Sequence, residues 1–205
     1  MVHIIGAGCG AADLITLRGK KHIEEADVII YAGSLVNPEI LGYAKADCEI
    51  HDSGKMTLEE IVAVIEKAEK ENKTTVRIQS GDPSLYGAIG EQMRELDRLG
   101  IAYDITPGVS AFSGAAAALK TEYTLPDVSQ TVIITRASGK TAVPDSENLR
   151  AQASHGATMV LFLSTGLLVK VTEELIAGGY APDAPRRRKY PDRSAHCPPI
   201  FRCFP

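Results

Sequence analysis

The chain contains no tryptophan, and aromatic residues make up only 5% of its 205 residues. Hydrophobic residues nevertheless reach 44%, so the core is expected to be mainly aliphatic. No apolar run approaches the roughly 20 residues that a membrane-spanning helix requires. The first residues lack the basic segment of a signal peptide, and glycines interrupt them from Gly6 onward. These absences predict a globular, cytoplasmic protein of one large or two small domains.

The spacing of the cysteines does not indicate a metal site, and the distribution of charged residues does not indicate nucleic-acid binding. None of the four cysteines forms a C-x-x-C pair, which excludes the common zinc motifs. We therefore expect four free thiols, a reducing compartment and no metal site. The net charge is −4 and no block of like charge suggests a nucleic-acid arm, while the basic run at 186–189 is typical of a solvated tail.

Short apolar runs alternate with segments of helical periodicity along most of the chain. In the first 120 residues, strands are predicted at 2–5, 28–30, 75–78 and 103–106. Helices are predicted at 13–26, 38–44, 57–70, 84–99 and 110–119, with Asn37 capping the second and a capping box of Thr57 and Glu60 opening the third. Beyond residue 130, the same patterns predict strands at 132–135 and 159–163 and helices at 146–154 and 167–176. Such alternation predicts a mostly parallel α/β sheet with helices on both faces.

Three glycine-containing loops follow three of the predicted strands. They are Gly6-Ala7-Gly8-Cys9-Gly10, Ser80-Gly81-Asp82-Pro83 and Thr106-Pro107-Gly108. Each could be only a tight turn, but together they are expected to line one edge of one sheet, where open α/β sheets bind ligands. The first loop also fits a dinucleotide fingerprint, yet no acidic residue ends the second strand, since Asp27 precedes it. Spacing alone leaves the ligand unnamed.

Longer segments of the sequence are similar to the tetrapyrrole methyltransferase family. The segments 6–17 and 26–31 resemble its first signature, 76–87 its second and 107–119 its third. Within the family, the segments 86–93 and 125–137 resemble the branch that methylates C-11 of precorrin-4 or of its cobalt complex in cobalamin biosynthesis. The resemblance covers roughly residues 1 to 185.

This resemblance implies two α/β domains of the tetrapyrrole methylase type with S-adenosyl-L-methionine (SAM) in a cleft between them. Transferred motif by motif, the implied SAM contacts are Cys9, Ser80, Gly81, Asp82, Leu85, Tyr86, Ser110, Ala111 and Leu163. Relatives carry proline where this chain has Cys9. A homodimer is implied as well.

The implied chemistry needs few catalytic side chains. A sulfonium methyl group is already activated, so in-line transfer to an electron-rich carbon depends mainly on positioning and desolvation. The catalytic candidates are Asp13 in the first loop and Lys55 in the loop 51–56. The substrate carries many carboxylates, and the cationic residues near loops that could bind them are Arg18, Lys20, Lys55, Arg136 and Lys140.

The expected domain organisation departs from the family at the end of the chain. We expect an N-terminal α/β domain over 1–120, a linker over 121–129, an incomplete C-terminal α/β domain over 130–185 and an atypical tail without assignable elements over 186–205. Three alternatives stay open. They are a related methylase acting on another substrate, a SAM-binding fragment without activity, and a nicotinamide oxidoreductase.

Overall fold

The structure, a computed structural model, describes residues 1–139 and 141–184 together with the backbone of two strands, Arg186–Lys189 and Ile200–Cys203. The described residues divide into two compact units, one of Met1–Ser113 and one that begins at Gly114. No helix in these described ranges is long and apolar enough to cross a membrane.

The first unit is built on a parallel sheet of five strands. The strands are β1 (Val2–Gly6), β2 (Val28–Tyr31), β3 (Glu49–Asp52), β4 (Thr75–Gln79) and β5 (Tyr103–Thr106), in the order β3-β2-β4-β1-β5. Because β4, β1 and β5 are neighbours, the loops that follow them leave the same edge of the sheet. The predicted parallel sheet is confirmed. Strand β3 was not predicted, because it is an edge strand whose residues are mostly exposed.

Helices cover both faces of this sheet. They are α1 (Leu17–Glu25), α2 (Leu58–Lys70) and α3 (Ile89–Leu99), and α4 (Ala111–Leu119) begins in this unit. The side chains of Ile4, Ile30, Ile65 and Leu96 pack together on one face. On the other face, Ile5, Ile23, Ile29 and Ile78 pack together. The core is thus aliphatic, as the shortage of aromatic residues predicts.

The predicted helix caps are confirmed where the local sequence specifies them. The Thr57 hydroxyl accepts a hydrogen bond from the Glu60 N–H at 3.3 Å, and the Glu60 carboxylate accepts one from the Thr57 N–H at 2.8 Å. Asn37 caps the segment Pro38–Tyr43, which is a 3-10 helix rather than an α-helix. These caps join residues two or three positions apart, so they are readable without knowledge of the tertiary fold.

Two predicted helix starts in the first unit are wrong. The helix predicted over 84–99 begins only at Ile89, because Tyr86 (φ 56°) and Ala88 (φ 51°) adopt left-handed backbone. The helix predicted over 13–26 divides into a 3-10 turn, Ala12–Leu14, and α1, whose first turn is capped by the Thr16 hydroxyl. In both cases the apolar spacing continues through a turn that the backbone does not follow as a helix.

The second unit contains a mixed sheet of four strands. These are β6 (Val132–Arg136), β7 (Thr158–Phe162), β8 (Arg186–Lys189) and β9 (Ile200–Cys203), in the order β6-β7-β9-β8. Strands β6 and β7 are parallel, as predicted, and β9 pairs antiparallel with both β7 and β8. Helices α5 (Leu149–Ala153) and α6 (Leu168–Ala177) pack against it through buried residues such as Leu149 and Val171. The helix predicted over 146–154 begins only at Leu149, because Asn148 has an extended backbone and caps α5 after a separate 3-10 turn.

The segment 186–205 therefore differs from the expectation that it holds no assignable element. It contributes β8 and β9 to the sheet. Backbone pairing with β7 accounts for β9, and such pairing leaves no periodic signal in a basic, proline-rich sequence. The residues between the two strands lie outside the described residues, and Cys197 is one of them.

Candidate functional site

Three glycines lie in backbone contact at the carboxyl edge of the first sheet. A Cβ atom placed on Gly6 would lie 2.6 Å from the Cα atom of Gly108 and 2.5 Å from the carbonyl oxygen of Gly81. These contacts are too short for any side chain, so the position of Gly6 accepts only glycine. The expectation that the three glycine loops share one edge of one sheet is confirmed.

The first two loops are joined by backbone hydrogen bonds. The Gly8 N–H donates to the Gly81 carbonyl at 3.2 Å, and the Gly81 N–H donates to the Gly8 carbonyl at 2.9 Å. Both glycines have positive φ, 81° at Gly8 and 62° at Gly81, which other residues rarely adopt. The loops after β1 and β4 therefore form a short antiparallel bridge that continues beyond the parallel strands.

The carboxylate of Asp82 joins the loop after β4 to the loop after β5. Its Oδ1 atom accepts hydrogen bonds from the Ser84 N–H at 2.8 Å and the Ser84 hydroxyl at 2.5 Å, and its Oδ2 atom accepts one from the Gly108 N–H at 3.0 Å. Burial by itself would raise the pKa of the Asp82 carboxyl, but the hydrogen bonds from Ser84 and Gly108 outweigh it and hold that pKa below its ordinary value. Asp82 is therefore ionised at neutral pH and holds the two loops together.

Cys9 lies in the first loop as a buried free thiol. The next residue, Gly10, is anchored from outside the loop, because the Asn37 side-chain amide donates to its carbonyl at 2.8 Å. Asn37 is itself buried, and the sequence indicated only its capping role. Its contact with Gly10 spans 27 positions of the chain and left no local signal.

The remaining residues predicted in this unit lie in the loops after β4 and β5. Ser80 directly follows β4, and Leu85 and Tyr86 lie in the turn before α3. Tyr86 is 44% exposed and holds a left-handed backbone, a conformation that in non-glycine residues clusters at functional sites. Ser110 and Ala111 are buried at the start of α4, and a Cβ atom on Gly81 would lie 3.4 Å from the Ala111 nitrogen. The eight predicted residues of this unit thus share one sheet edge.

Leu163, the ninth predicted residue, belongs to the second unit. It directly follows β7, is 65% exposed and has a left-handed backbone with φ 54°. The buried Ser164 hydroxyl beside it donates to the Phe162 carbonyl at 2.6 Å and accepts from the Ala137 N–H at 2.8 Å. Ser164 thereby ties the carboxyl ends of β6 and β7 together. Sequence reasoning missed it, because a serine after an apolar run is also common in ordinary loops.

The two weak catalytic candidates are both exposed. Asp13 lies in the 3-10 turn Ala12–Leu14, and Lys55 is the last residue of another such turn, Ser53–Lys55. The better-anchored acid is Asp52, whose Oδ1 atom accepts from the Gly54 N–H at 2.8 Å and the Gly33 N–H at 2.9 Å. These two N–H groups hold the pKa of Asp52 below its ordinary value. Asp52 therefore shapes the loops after β2 and β3.

The cationic residues considered for substrate carboxylates have varied surroundings. Lys20 pairs with Glu24 at 3.2 Å and lies 5.0 Å from the centroid of the Tyr43 ring. Arg136 donates to the Ala142 carbonyl at 2.9 Å. Arg18 and Lys55 are exposed, and Lys140 lies outside the described residues. The role of these residues in substrate binding stays a prediction.

Two buried polar residues of β4 were missed by sequence reasoning. Arg77 donates from Nε to the Gln92 side-chain oxygen at 3.1 Å and from Nη1 to the Ile30 carbonyl at 3.2 Å, and burial lowers its pKa to about 10. Gln79 is 6% exposed, and among the described residues its Nε2 atom has no hydrogen-bond partner. Both residues interrupt an apolar strand, which was the available signal. The side-chain amide of Gln79 thus holds an unused hydrogen-bond donor one residue before Ser80.

In nicotinamide-binding folds, an acidic residue at the carboxyl end of the second strand binds the ribose. Strand β2 ends at Tyr31 and supplies no such residue there. Asp27 lies at the amino end of β2, where its carboxylate accepts from Lys45 Nζ at 2.5 Å and from the Thr74 N–H at 2.7 Å. This arrangement is structural and lies at the sheet edge opposite the glycine loops. Strand β2 therefore contributes no acidic side chain to the sheet edge that carries the glycine loops, unlike the corresponding strand of a dinucleotide-binding site.

The comparisons with known proteins identify the family. The sequence model of the tetrapyrrole (corrin/porphyrin) methylases matches residues 1–186. The chain therefore belongs to the tetrapyrrole methylases, a family of methyltransferases.

Several relatives are similar over most of the chain. A Methanocaldococcus jannaschii protein named cobalt-precorrin-4 C(11)-methyltransferase is 55% identical over 184 residues, which cover 90% of this chain and 71% of that protein. A Mycobacterium tuberculosis protein named precorrin-4 C(11)-methyltransferase is 47% identical over 185 residues, covering 90% and 74%.

Solved structures share the fold. The X-ray structure of a cobalamin biosynthetic enzyme, cobalt precorrin-4 methyltransferase, matches with a TM-score of 0.93 and 38% identity, covering 98% of this chain and 93% of that one. A Thermus thermophilus uroporphyrin-III C-methyltransferase, solved in complex with S-adenyl homocysteine, matches with a TM-score of 0.77 and 22% identity, covering 98% and 91%. The second likeness concerns the fold alone.

Proposed function

We propose that this chain transfers a methyl group from SAM to C-11 of precorrin-4 or of its cobalt complex, a step of cobalamin biosynthesis. The observation that carries the proposal is the 55% identity, across 90% of the chain, with the protein named cobalt-precorrin-4 C(11)-methyltransferase. The glycine loops support it from the structural side, because they gather at the carboxyl edge of neighbouring parallel strands, where open α/β sheets bind ligands.

The proposed SAM contacts are the nine residues already described, with eight at the edge of the first sheet. The residues present suit such a ligand, since the buried Gln79 amide keeps an unused hydrogen-bond donor beside Ser80. The loop after β4 is held in shape by Asp82, and Tyr86 presents an exposed ring next to it. Leu163 offers an exposed apolar side chain from the second unit.

The proposed reaction is an in-line displacement. The substrate carbon forms a bond to the methyl group as the methyl–sulfur bond breaks, and S-adenosylhomocysteine leaves. The sulfonium supplies the leaving group, so the protein's task is to orient the two reactants and exclude water. This accounts for a site made chiefly of backbone and small residues. Asp13 and Lys55 are proposed only as helpers in moving a proton.

The proposal also includes a polycarboxylate tetrapyrrole as substrate, a homodimer as the assembly and the cytoplasm as the location. The relatives' names divide between the cobalt-containing and the metal-free substrate. Both are therefore to be assayed. The mass of the assembly in solution, measured by light scattering, tests the homodimer.

The experiment is a calorimetric titration with S-adenosylhomocysteine followed by methylation assays on precorrin-4 and cobalt-precorrin-4. We expect saturable binding at one site per chain and a product heavier by one methyl group with at least one substrate. Methylation of neither substrate by a protein that binds S-adenosylhomocysteine would contradict the proposed substrate. Failure of a folded protein to bind S-adenosylhomocysteine would contradict the proposed reaction.

A further inference from the structure

A cluster of two histidines and an aspartate lies on the first unit, away from the glycine loops. His3 lies in β1, His22 in α1 and Asp104 in β5. His3 and Asp104 face each other in the register of the two parallel strands, and His22 stacks on His3 with ring centroids 3.9 Å apart. His3 is three residues before Gly6, so roughly 10 Å of strand separates the cluster from the glycine edge.

The three side chains bring potential metal ligands together. One ring nitrogen from each histidine and one carboxylate oxygen of Asp104 all lie within 4.8 Å of one another. We propose that His3, His22 and Asp104 bind a divalent first-row transition-metal ion, with water completing the coordination. Two imidazoles and a carboxylate suit Zn²⁺, Co²⁺ and Ni²⁺, and three protein ligands plus water form a common tetrahedral site.

An unused ligand atom supports the proposal. The Nε2 atom of His22 is buried, and the part of the chain that the structure describes provides it with no hydrogen-bond partner. A buried polar atom without a partner destabilises a fold, and a metal bond would satisfy it.

The Asp104 carboxylate organises the other histidine. His3 Nδ1 lies 2.9 Å from Asp104 Oδ1. A carboxylate oxygen accepts hydrogen bonds, so Nδ1 carries the proton in this contact. A shift of the proton to Nε2 frees Nδ1, which lies beside Asp104, to bind the metal together with the carboxylate.

The stacking of the rings predicts a conformational signature. The ring planes are 21° from parallel, while the lone pairs of ring nitrogens lie in those planes. Both lone pairs therefore meet at one metal ion only after the His22 ring rotates. Binding is expected to unstack the rings, which changes the NMR shifts of the ring protons of His3 and His22.

The test is a titration of the purified full chain with Zn²⁺ by calorimetry and with Co²⁺ by absorption spectroscopy. We expect one ion per chain, tetrahedral Co²⁺ bands, unstacking of the two rings and a melting temperature raised by about 5–10 °C at an ion concentration a hundredfold above Kd. His22→Gln and His3→Gln are expected to weaken binding at least tenfold. Asp104→Asn, at a partly exposed position, is expected to weaken it as well.

His155→Gln, at an exposed histidine of the second unit, is the matched control and is expected to bind the ion like the parent chain. Circular dichroism spectra and melting curves without metal check that each variant folds. The proposal is overturned if the parent chain binds no ion, if folded His3 and His22 variants bind as tightly as the parent, or if thiolate-to-cobalt charge-transfer bands indicate cysteine ligation instead.

Discussion

The carboxylate of Asp82 accepts a hydrogen bond from the backbone N–H of Gly108 at 3.0 Å, across 26 positions of the chain. This contact connects the loops after β4 and β5. The same carboxylate accepts two hydrogen bonds from Ser84 within its own loop. One side chain therefore determines the shape of two of the three loops at the proposed SAM site.

Replacing Asp82 by alanine is expected to weaken S-adenosylhomocysteine binding at least tenfold. It is also expected to lower the free energy of unfolding by about 1.5–3 kcal/mol, because the Gly108 N–H loses a charged acceptor. Calorimetry and urea denaturation measure the two effects. Asp47→Ala, at an exposed position, is the control and is expected to change neither quantity. Unchanged ligand affinity in a folded Asp82→Ala protein would argue against this edge as the SAM site.

The same carboxylate predicts how stability depends on pH. The pKa of Asp82 in the folded chain lies below its ordinary value of 3.8, so the unfolded chain binds the proton more readily. The stabilisation is therefore fully present above the ordinary pKa and is lost as the pH falls through the lowered one. The urea midpoint of the parent chain is expected to decline more steeply below about pH 4 than that of Asp82→Asn. An equally steep decline of the urea midpoint at acidic pH in the two proteins would contradict this.

A methyl group at Gly6 is expected to be costly. The new Cβ atom of Gly6→Ala would lie 2.6 Å from the Gly108 Cα atom and 2.5 Å from the Gly81 carbonyl oxygen, and Gly6 is held in place by the pairing of β1 with β4. We expect a loss of about 2–3 kcal/mol in the free energy of unfolding, together with weaker S-adenosylhomocysteine binding. Gly42→Ala is the matched control, since its Cβ would meet nothing within 4 Å. Equal stability of the two variants would show that the loops are not in the contact described.

The second unit offers an independent test at Ser164. Ser164→Ala removes the acceptor of the buried Ala137 N–H and is expected to cost about 1–3 kcal/mol in the free energy of unfolding. Ser146→Ala, at an exposed serine, is expected to cost less than about 0.5 kcal/mol. If Leu163 contacts SAM as proposed, Ser164→Ala also weakens S-adenosylhomocysteine binding. If Ser164→Ala lowers the free energy of unfolding but leaves the affinity for S-adenosylhomocysteine unchanged, Ser164 has only a structural role. That result would argue against Leu163 as a SAM contact.

The local features of this protein were readable from its sequence. The capping box of Thr57 and Glu60 and the cap at Asn37 depend on residues two or three positions apart, and both are present. The alternation of strands and helices, the three glycine loops and the family likewise followed from contiguous segments. The start of α3 did not, because nothing in the apolar spacing signals the left-handed backbone of Tyr86 and Ala88.

The sequence by itself determined the class of fold, the aliphatic core, the family and which loops end the strands. Only the tertiary structure decided what those loops and strands touch. The order β4-β1-β5 brings Gly6, Gly81 and Gly108 into contact, and the register of β1 with β5 sets His3 opposite Asp104. Local patterns specify elements through contacts between near neighbours in the chain. Contacts between residues a hundred positions apart arise from how the elements pack.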